Sequence, residues 1–114
     1  LVAKLLFPKW TFEPFEEDLT VMRVTVEGEL DGIDTRMRWD LLDRLDPQTG
    51  FTSMSRTTGF TATVVAAMIM EGSLTPRGVF APEEIATEEG FLDRLMEGLA
   101  RRGVNYEAHL ETRD

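Results

Sequence analysis

Leu19-Thr20-Val21-Met22-Arg23-Val24-Thr25-Val26-Glu27-Gly28-Glu29-Leu30-Asp31-Gly32-Ile33-Asp34-Thr35-Arg36-Met37-Arg38-Trp39-Asp40-Leu41-Leu42 contains two runs of period-two alternation. In the first arm Met22, Val24 and Val26 alternate with Arg23, Thr25 and Glu27. In the second, Ile33, Thr35, Met37, Trp39 and Leu41 alternate with Asp34, Arg36, Arg38 and Asp40. Successive side chains of a strand point to opposite faces, so this pattern predicts one face on a core and one in water. Asp31-Gly32 lies between the arms. Asp-Gly is favoured where both central residues of a tight turn need positive φ, so the stretch reads as a β-hairpin. Its charges, Asp34, Arg36, Arg38 and Asp40, read as a solvated or cross-strand-paired face.

Downstream, Asp46-Pro47-Gln48-Thr49-Gly50 is a turn: Asp46 caps its own backbone, Pro47 fixes φ and Gly50 permits a left-handed exit. Thr57 or Thr58 then reads as the N-cap of a helix through about Glu71. Ala62 to Met70 is almost wholly apolar, which predicts a helix buried on more than one side, stopped by Gly72. After a loop with a short turn at Pro82-Glu83-Glu84, Thr87 reads as the cap of a second helix. Glu88 and Glu89 suit its start, Arg101 and Arg102 its end, and Gly103 its stop. Phe91, Leu92, Leu95, Met96 and Leu99 form its apolar stripe. Val104, Tyr106, Ala108 and Leu110 alternate with Asn105, Glu107, His109 and Glu111, which predicts a last strand. The order ββααβ gives an α+β class, with an antiparallel sheet, a β-hairpin and two main helices.

Upstream of the hairpin, residues 1–18 read as irregular, because Pro8 and Pro14 interrupt any regular element. Phe7, Trp10, Phe12 and Phe15 either pack on the domain or mark a seam to a preceding region. The domain reading is a lead-in segment over 1–18 and one domain over 19–114. The first residue is Leu1 rather than Met, which suits a piece of a longer chain.

Composition narrows the function. The 114 residues suffice for one small domain with its own core, and 42% hydrophobic residues exclude global disorder. With no cysteine, disulfides, thiol catalysis and Cys-ligated zinc are excluded, and a cytoplasmic setting is expected. Twenty-one acidic against 12 basic residues give a net charge of -9, which repels a phosphate backbone and an anionic membrane alike. Neither nucleic acid nor membrane is an expected partner, and no apolar run approaches a membrane span.

The chemistry is sparse. No Gly-x-Gly-x-x-Gly or P-loop occurs, so the commonest dinucleotide cradle is missing. His109 is the lone histidine and reads as an exposed strand residue. Asp40, Asp43 and Asp46 are spaced by three, but in a strand and turn that spacing does not converge their side chains on a cation. The segment that departs from local rules is Thr52 to Gly59, where hydroxyls and Arg56 precede an apolar helix. A helix start favours negative charge and an arginine adds a bidentate fork, which would suit an anion or carboxylate. Capping plus a salt bridge for Arg56 explains the same residues without a ligand.

Met54-Ser55-Arg56-Thr57-Thr58-Gly59-Phe60 before an apolar helix resembles a motif of saccharopine dehydrogenase-like enzymes, lysine 6-dehydrogenases among them. Asp18-Leu19-Thr20-Val21-Met22-Arg23-Val24 is similar to the family's strand before the hairpin. Leu41-Leu42-Asp43-Arg44-Leu45-Asp46-Pro47-Gln48-Thr49-Gly50 is similar to its connector, and Gly78-Val79-Phe80-Ala81-Pro82-Glu83 to a later turn. The likeness runs from about residue 18 to 103, with Ser55 where the family usually has Ala and Thr61 where it commonly has Pro. It implies a C-terminal, substrate-side and dimerisation domain of an enzyme of lysine metabolism. That enzyme would use NAD or NADP to oxidise or reduce a carbon bearing nitrogen in an amino acid or adduct such as saccharopine. It also implies a preceding Rossmann domain for the cofactor, a homodimer, and a fragment that binds no cofactor and is inactive alone. Arg56, Thr57, Thr58 and Gly59 are then candidates for substrate or domain-interface contact. The other readings are a stand-alone acidic interaction module and a small-molecule binder using an Arg56 pocket.

Overall fold

The computed structural model describes residues 2–14 and 16–112. Strand β1 (Leu19–Leu30) pairs antiparallel with β2 (Ile33–Arg44), and β2 with β3 (Tyr106–Thr112), in the order β1-β2-β3. The hairpin turn has φ 54° at Asp31 and 81° at Gly32, the doubly positive geometry that Asp-Gly accommodates. Register places Met22 opposite Leu41, Val24 opposite Trp39 and Val26 opposite Met37. Tyr106, Ala108 and Leu110 continue those rows on β3. One face of the sheet is therefore apolar. On the other, Asp40 bridges Arg23 and Arg38, and Arg36 bridges Glu27 and Glu111. The α+β class and antiparallel sheet stand as expected.

Helices α1 (Val2–Leu6), α2 (Ser53–Met70), α3 (Pro82–Ile85) and α4 (Phe91–Ala100) complete the chain. Three boundaries differ from the sequence reading. Residues 2–9 are not irregular: α1 runs into a 3-10 turn at Phe7–Lys9, where Pro8 occupies a first-turn position that needs no N–H. The aromatics beyond it do not pack on the domain, since Phe7, Trp10 and Phe12 are all more than half exposed. Phe15 lies outside the described residues.

The N-cap of α2 is Thr52, whose hydroxyl accepts from the Ser55 N–H, not Thr57 or Thr58. Thr87 does not cap α4 but donates to the Glu84 carbonyl at the end of α3, and α4 starts later, after Gly90.

The core is small. Val64, Met68, Leu74 and Phe91 form one cluster between α2 and α4, and Leu41, Leu99 and Val104 form a second that joins α4 to the sheet. Close approach of the helices requires Gly98, where a Cβ would sit 2.6 Å from Val64 Cγ1. The rest of the molecule is spread out. Its radius of gyration is 17.9 Å, against about 13 Å for a compact domain of this length. Its accessible surface is 9039 Å2, against roughly 6,300 Å2 for a folded monomer of this mass. The N-terminal arm and the projecting hairpin account for the shape.

Gly98→Ala should overpack the α2–α4 contact and cost about 1–2 kcal/mol net of the helical preference of Ala. Urea unfolding checks this. In a Val64→Ala background the same substitution should be neutral or stabilising, because the clashing methyls are gone.

Candidate functional site

The residues singled out in the sequence lie on the first two turns of α2, and the chain itself engages them. Asp18, just ahead of β1, accepts from the Ser53 N–H (2.6 Å) and the Met54 N–H (2.9 Å). Ser53 is fully buried and its hydroxyl donates to Thr20 Oγ1 on β1. With Thr52 on the Ser55 N–H, the first-turn donors that would receive an anion are already held by this chain's own oxygens.

Arg56 points inward and is 9% exposed. Its Nε lies 3.3 Å from Asp43 Oδ2, its Nη2 3.4 Å from Asp43 Oδ1 and its Nη1 3.4 Å from Asp46 Oδ2. Nη2 also donates to the Arg102 carbonyl, and the guanidinium carbon sits 5.7 Å above the Phe60 ring. One side chain thus ties β2, the following turn, α2 and the end of α4. Asp46 accepts from the Gln48 N–H and the Thr49 hydroxyl. Those two bonds first, and the Arg56 charge after them, hold its carboxyl below the usual carboxylate range. Nearby, burial and the Asp43 carboxylate push the Tyr106 phenol up.

The four candidate residues do not converge on one point. Arg56 faces the interior, and the Thr57 hydroxyl bonds back to the Ser53 carbonyl. Thr58 and Gly59 lie exposed on the outer face of α2. Nor do the three spaced aspartates meet: Asp40 is on the charged face of β2 and Asp43 on the apolar one. His109 stands 3.9 Å from Asp40 on that charged face. Among the described residues no group of three or more His, Asp or Glu could hold a metal, and no helix is long and apolar enough to cross a membrane.

Asp43 is a partner that the sequence reading missed, and it left a signal. It continues the apolar row Thr35, Met37, Trp39, Leu41, where a carboxylate needs a buried cation.

The family model for the saccharopine dehydrogenase C-terminal domain matches residues 1–104. The chain belongs to that family. No solved structure matches the chain. Within this saccharopine dehydrogenase C-terminal domain the motif of the resemblance, Met54 to Phe60, coincides with the turns of α2 that anchor the helix to the sheet. The matched range also takes in the segment ahead of β1, which includes Asp18.

The family is generally NAD(P)-dependent, and the residues here can be tested against that cofactor. The chain's strand-to-helix passage, from β2 to α2, places the Asp18 carboxylate where a pyrophosphate would need free N–H groups and a positive field. α4 follows a helical turn rather than a strand. The described residues do not fit a dinucleotide.

Arg56→Lys keeps the charge but loses the planar fork, and should cost about 1–3 kcal/mol of stability by denaturant unfolding. Acid should act through Asp46. A carboxyl whose folded pKa is depressed adds stability that is present above the unfolded value of about 3.9 and is lost as pH falls below it. Denaturation midpoints should drop below about pH 4, and drop less steeply in Asp46→Asn.

Proposed function

We propose that this chain is the substrate-side and subunit-joining part of an NAD(P)-dependent oxidoreductase. Its substrate would be an amino acid or an amino-acid adduct of the saccharopine type, changed by hydride transfer at a carbon bearing nitrogen. The cofactor is held by a Rossmann domain elsewhere in the polypeptide, and the active molecule is a homodimer.

The observation that carries this reading is the outer face of α2. From Thr57 to Met70 the helix has no charged residue, yet Thr58, Gly59, Ala62, Thr63, Ala66, Ile69 and Met70 are exposed. A helix apolar on both sides is normally covered on both sides. Gly59 has open space where its Cβ would be, so no contact among the described residues explains a residue that costs roughly 1 kcal/mol in a helix interior. Close approach of another backbone explains it. In this reading Thr58 and Gly59 dock the cofactor domain, and the interdomain cleft opens at the start of α2. Thr57 stiffens that start. Arg56 acts as a positioning residue, fixing the helix against the sheet rather than touching substrate.

The experiment is calorimetric titration of this chain with NADH and with NADPH. No binding is expected, and micromolar affinity for either would overturn the division of labour. In the longer enzyme, Gly59→Leu should obstruct docking and lower kcat/KM on the order of tenfold or more while the melting temperature changes little. Unchanged kinetics would remove Gly59 from the interface.

A further inference from the structure

We propose that the furrow between α2 and α4 is a binding site for a small organic dianion, an α,ω-dicarboxylate with an apolar spine between its two charges. This goes beyond the function proposed above and does not rest on it. The cleft placed there opens at the start of α2, whereas the furrow runs along the second half of that helix. On α2 its wall is Val64, Ala67, Met68 and Glu71, and on α4 it is Arg94, Glu97, Gly98 and Arg101. Each set is spaced i, i+3, i+4, i+7, so each is one face of its helix. The helices run in opposite directions, since Gly98 meets Val64 while Phe91, earlier on α4, packs with Met68 and Leu74. The space between them is about 460 Å3.

The two ends of the furrow are basic. At one end Arg94 Nη1 donates to the Ser73 carbonyl (3.4 Å). At the other, Arg101 is joined by Arg102, whose Nη1 donates to the Gly98 carbonyl (2.8 Å). Each of these bonds occupies one nitrogen and keeps the side chain along the furrow, so the rest of the fork is open to a ligand. Arg23, Arg36, Arg38, Arg56 and Arg101 all have carboxylate partners. Among the described residues Arg94 and Arg102 have none, although the chain as a whole carries -9. Two uncompensated guanidiniums on one concave surface focus a positive field there.

Length and polarity narrow the ligand. Arg94 and Arg101 are two helical turns apart, a rise of about 10 Å. A phosphate or a lone carboxylate meets one end only. The floor between the ends is Val64 and Met68, both buried, with Gly98 placing no side chain over them. That floor suits methylenes and leaves an internal polar group without a partner. Glu71 stands at the Arg94 end with no ion pair or side-chain hydrogen bond among the described residues, and its charge limits the affinity. The Arg102 carbonyl accepts from Arg56 Nη2. An occupant held by Arg102 therefore bears on the junction that fixes α2 to the sheet, and acts as an effector of the domain rather than as its substrate.

Calorimetric titration of the intact chain at low salt tests this, with succinate, adipate and suberate as dicarboxylates of increasing length. Octanoate serves as the monocarboxylate of suberate's length, and inorganic phosphate as the single-centred anion. Suberate should bind with a dissociation constant on the order of 0.1 mM. Succinate, octanoate and phosphate should each bind about tenfold or more weakly, because each reaches one basic end. Arg94→Gln and, separately, Arg102→Gln should reduce suberate to the octanoate level, and Arg77→Gln, outside the furrow, should change nothing. Glu71→Gln removes no bond within the chain and should tighten suberate severalfold, so the proposal stays testable if an arginine variant loses its native far-UV spectrum. Absence of saturable suberate binding overturns the proposal. Equal affinity across the dicarboxylate series or for phosphate also overturns it, since that marks attraction to surface charge alone. Suberate binding that survives Arg94→Gln, or that Glu71→Gln does not tighten, places the anion elsewhere and overturns it too.

Discussion

A guanidinium taken out of water must be matched by carboxylates and carbonyls, or the site does not form. Arg56 is matched by Asp43 from β2, Asp46 from the turn after it and the Arg102 carbonyl at the end of α4. Without that junction α2 keeps its start on the sheet edge through Asp18 and the Ser53–Thr20 hydrogen bond, but loses its tie to β2 and to the end of α4, and the two apolar clusters are small. The arrangement places a charged anchor where a larger domain would place Leu or Phe. It also fixes the angle between sheet and helix more sharply than an apolar contact would, since a planar fork has one favoured orientation.

The same junction orders the surfaces of the molecule. With Arg56 turned inward, the helical repeat turns Thr58, Gly59, Ala62 and Ala66 outward. With Asp43 on the apolar row of β2, Arg36, Arg38 and Asp40 fall on the other face. The chain therefore presents two uncharged surfaces, one on α2 and one on the sheet, separated by a charged one. Membership of the saccharopine dehydrogenase C-terminal domain family, in which a further domain accompanies this one, fits a unit that leaves so much apolar surface uncovered.

The sequence carried the hairpin in full, because its register depends on residues a few positions apart and on a turn whose chemistry is local. It carried the existence of α2 and α4 through their apolar content. It did not carry where α2 begins. The true cap, Thr52, competes with Thr57 and Thr58 on propensity, and the deciding contact is from Asp18, 35 positions away from Ser53. The role of Arg56 was half legible. A salt bridge was a standing alternative, but its partners became visible only once Asp43 was seen to occupy an interior row. The expectation that α2 is buried on more than one side does not hold among the described residues: Val64 and Met68 are buried against α4, while Thr58, Gly59, Ala62, Thr63, Ala66, Ile69 and Met70 stay exposed, because apolar content alone does not say how many faces the chain itself covers.

The doubly positive turn at Asp31 and Gly32 has a consequence in time as well as in space. Hairpins closed by two-residue turns form in about 1–10 μs, faster than contacts between distant segments. The arm from Leu19 to Arg44 can thus be complete before α4 or β3 reaches it, showing its row of Met, Val and Trp side chains with an unpaired edge on either side. During synthesis that arm is the most adhesive part of the chain. The salt-bridged residues on its reverse, Arg23, Glu27, Arg36 and Asp40, then keep nascent chains from stacking on both faces at once.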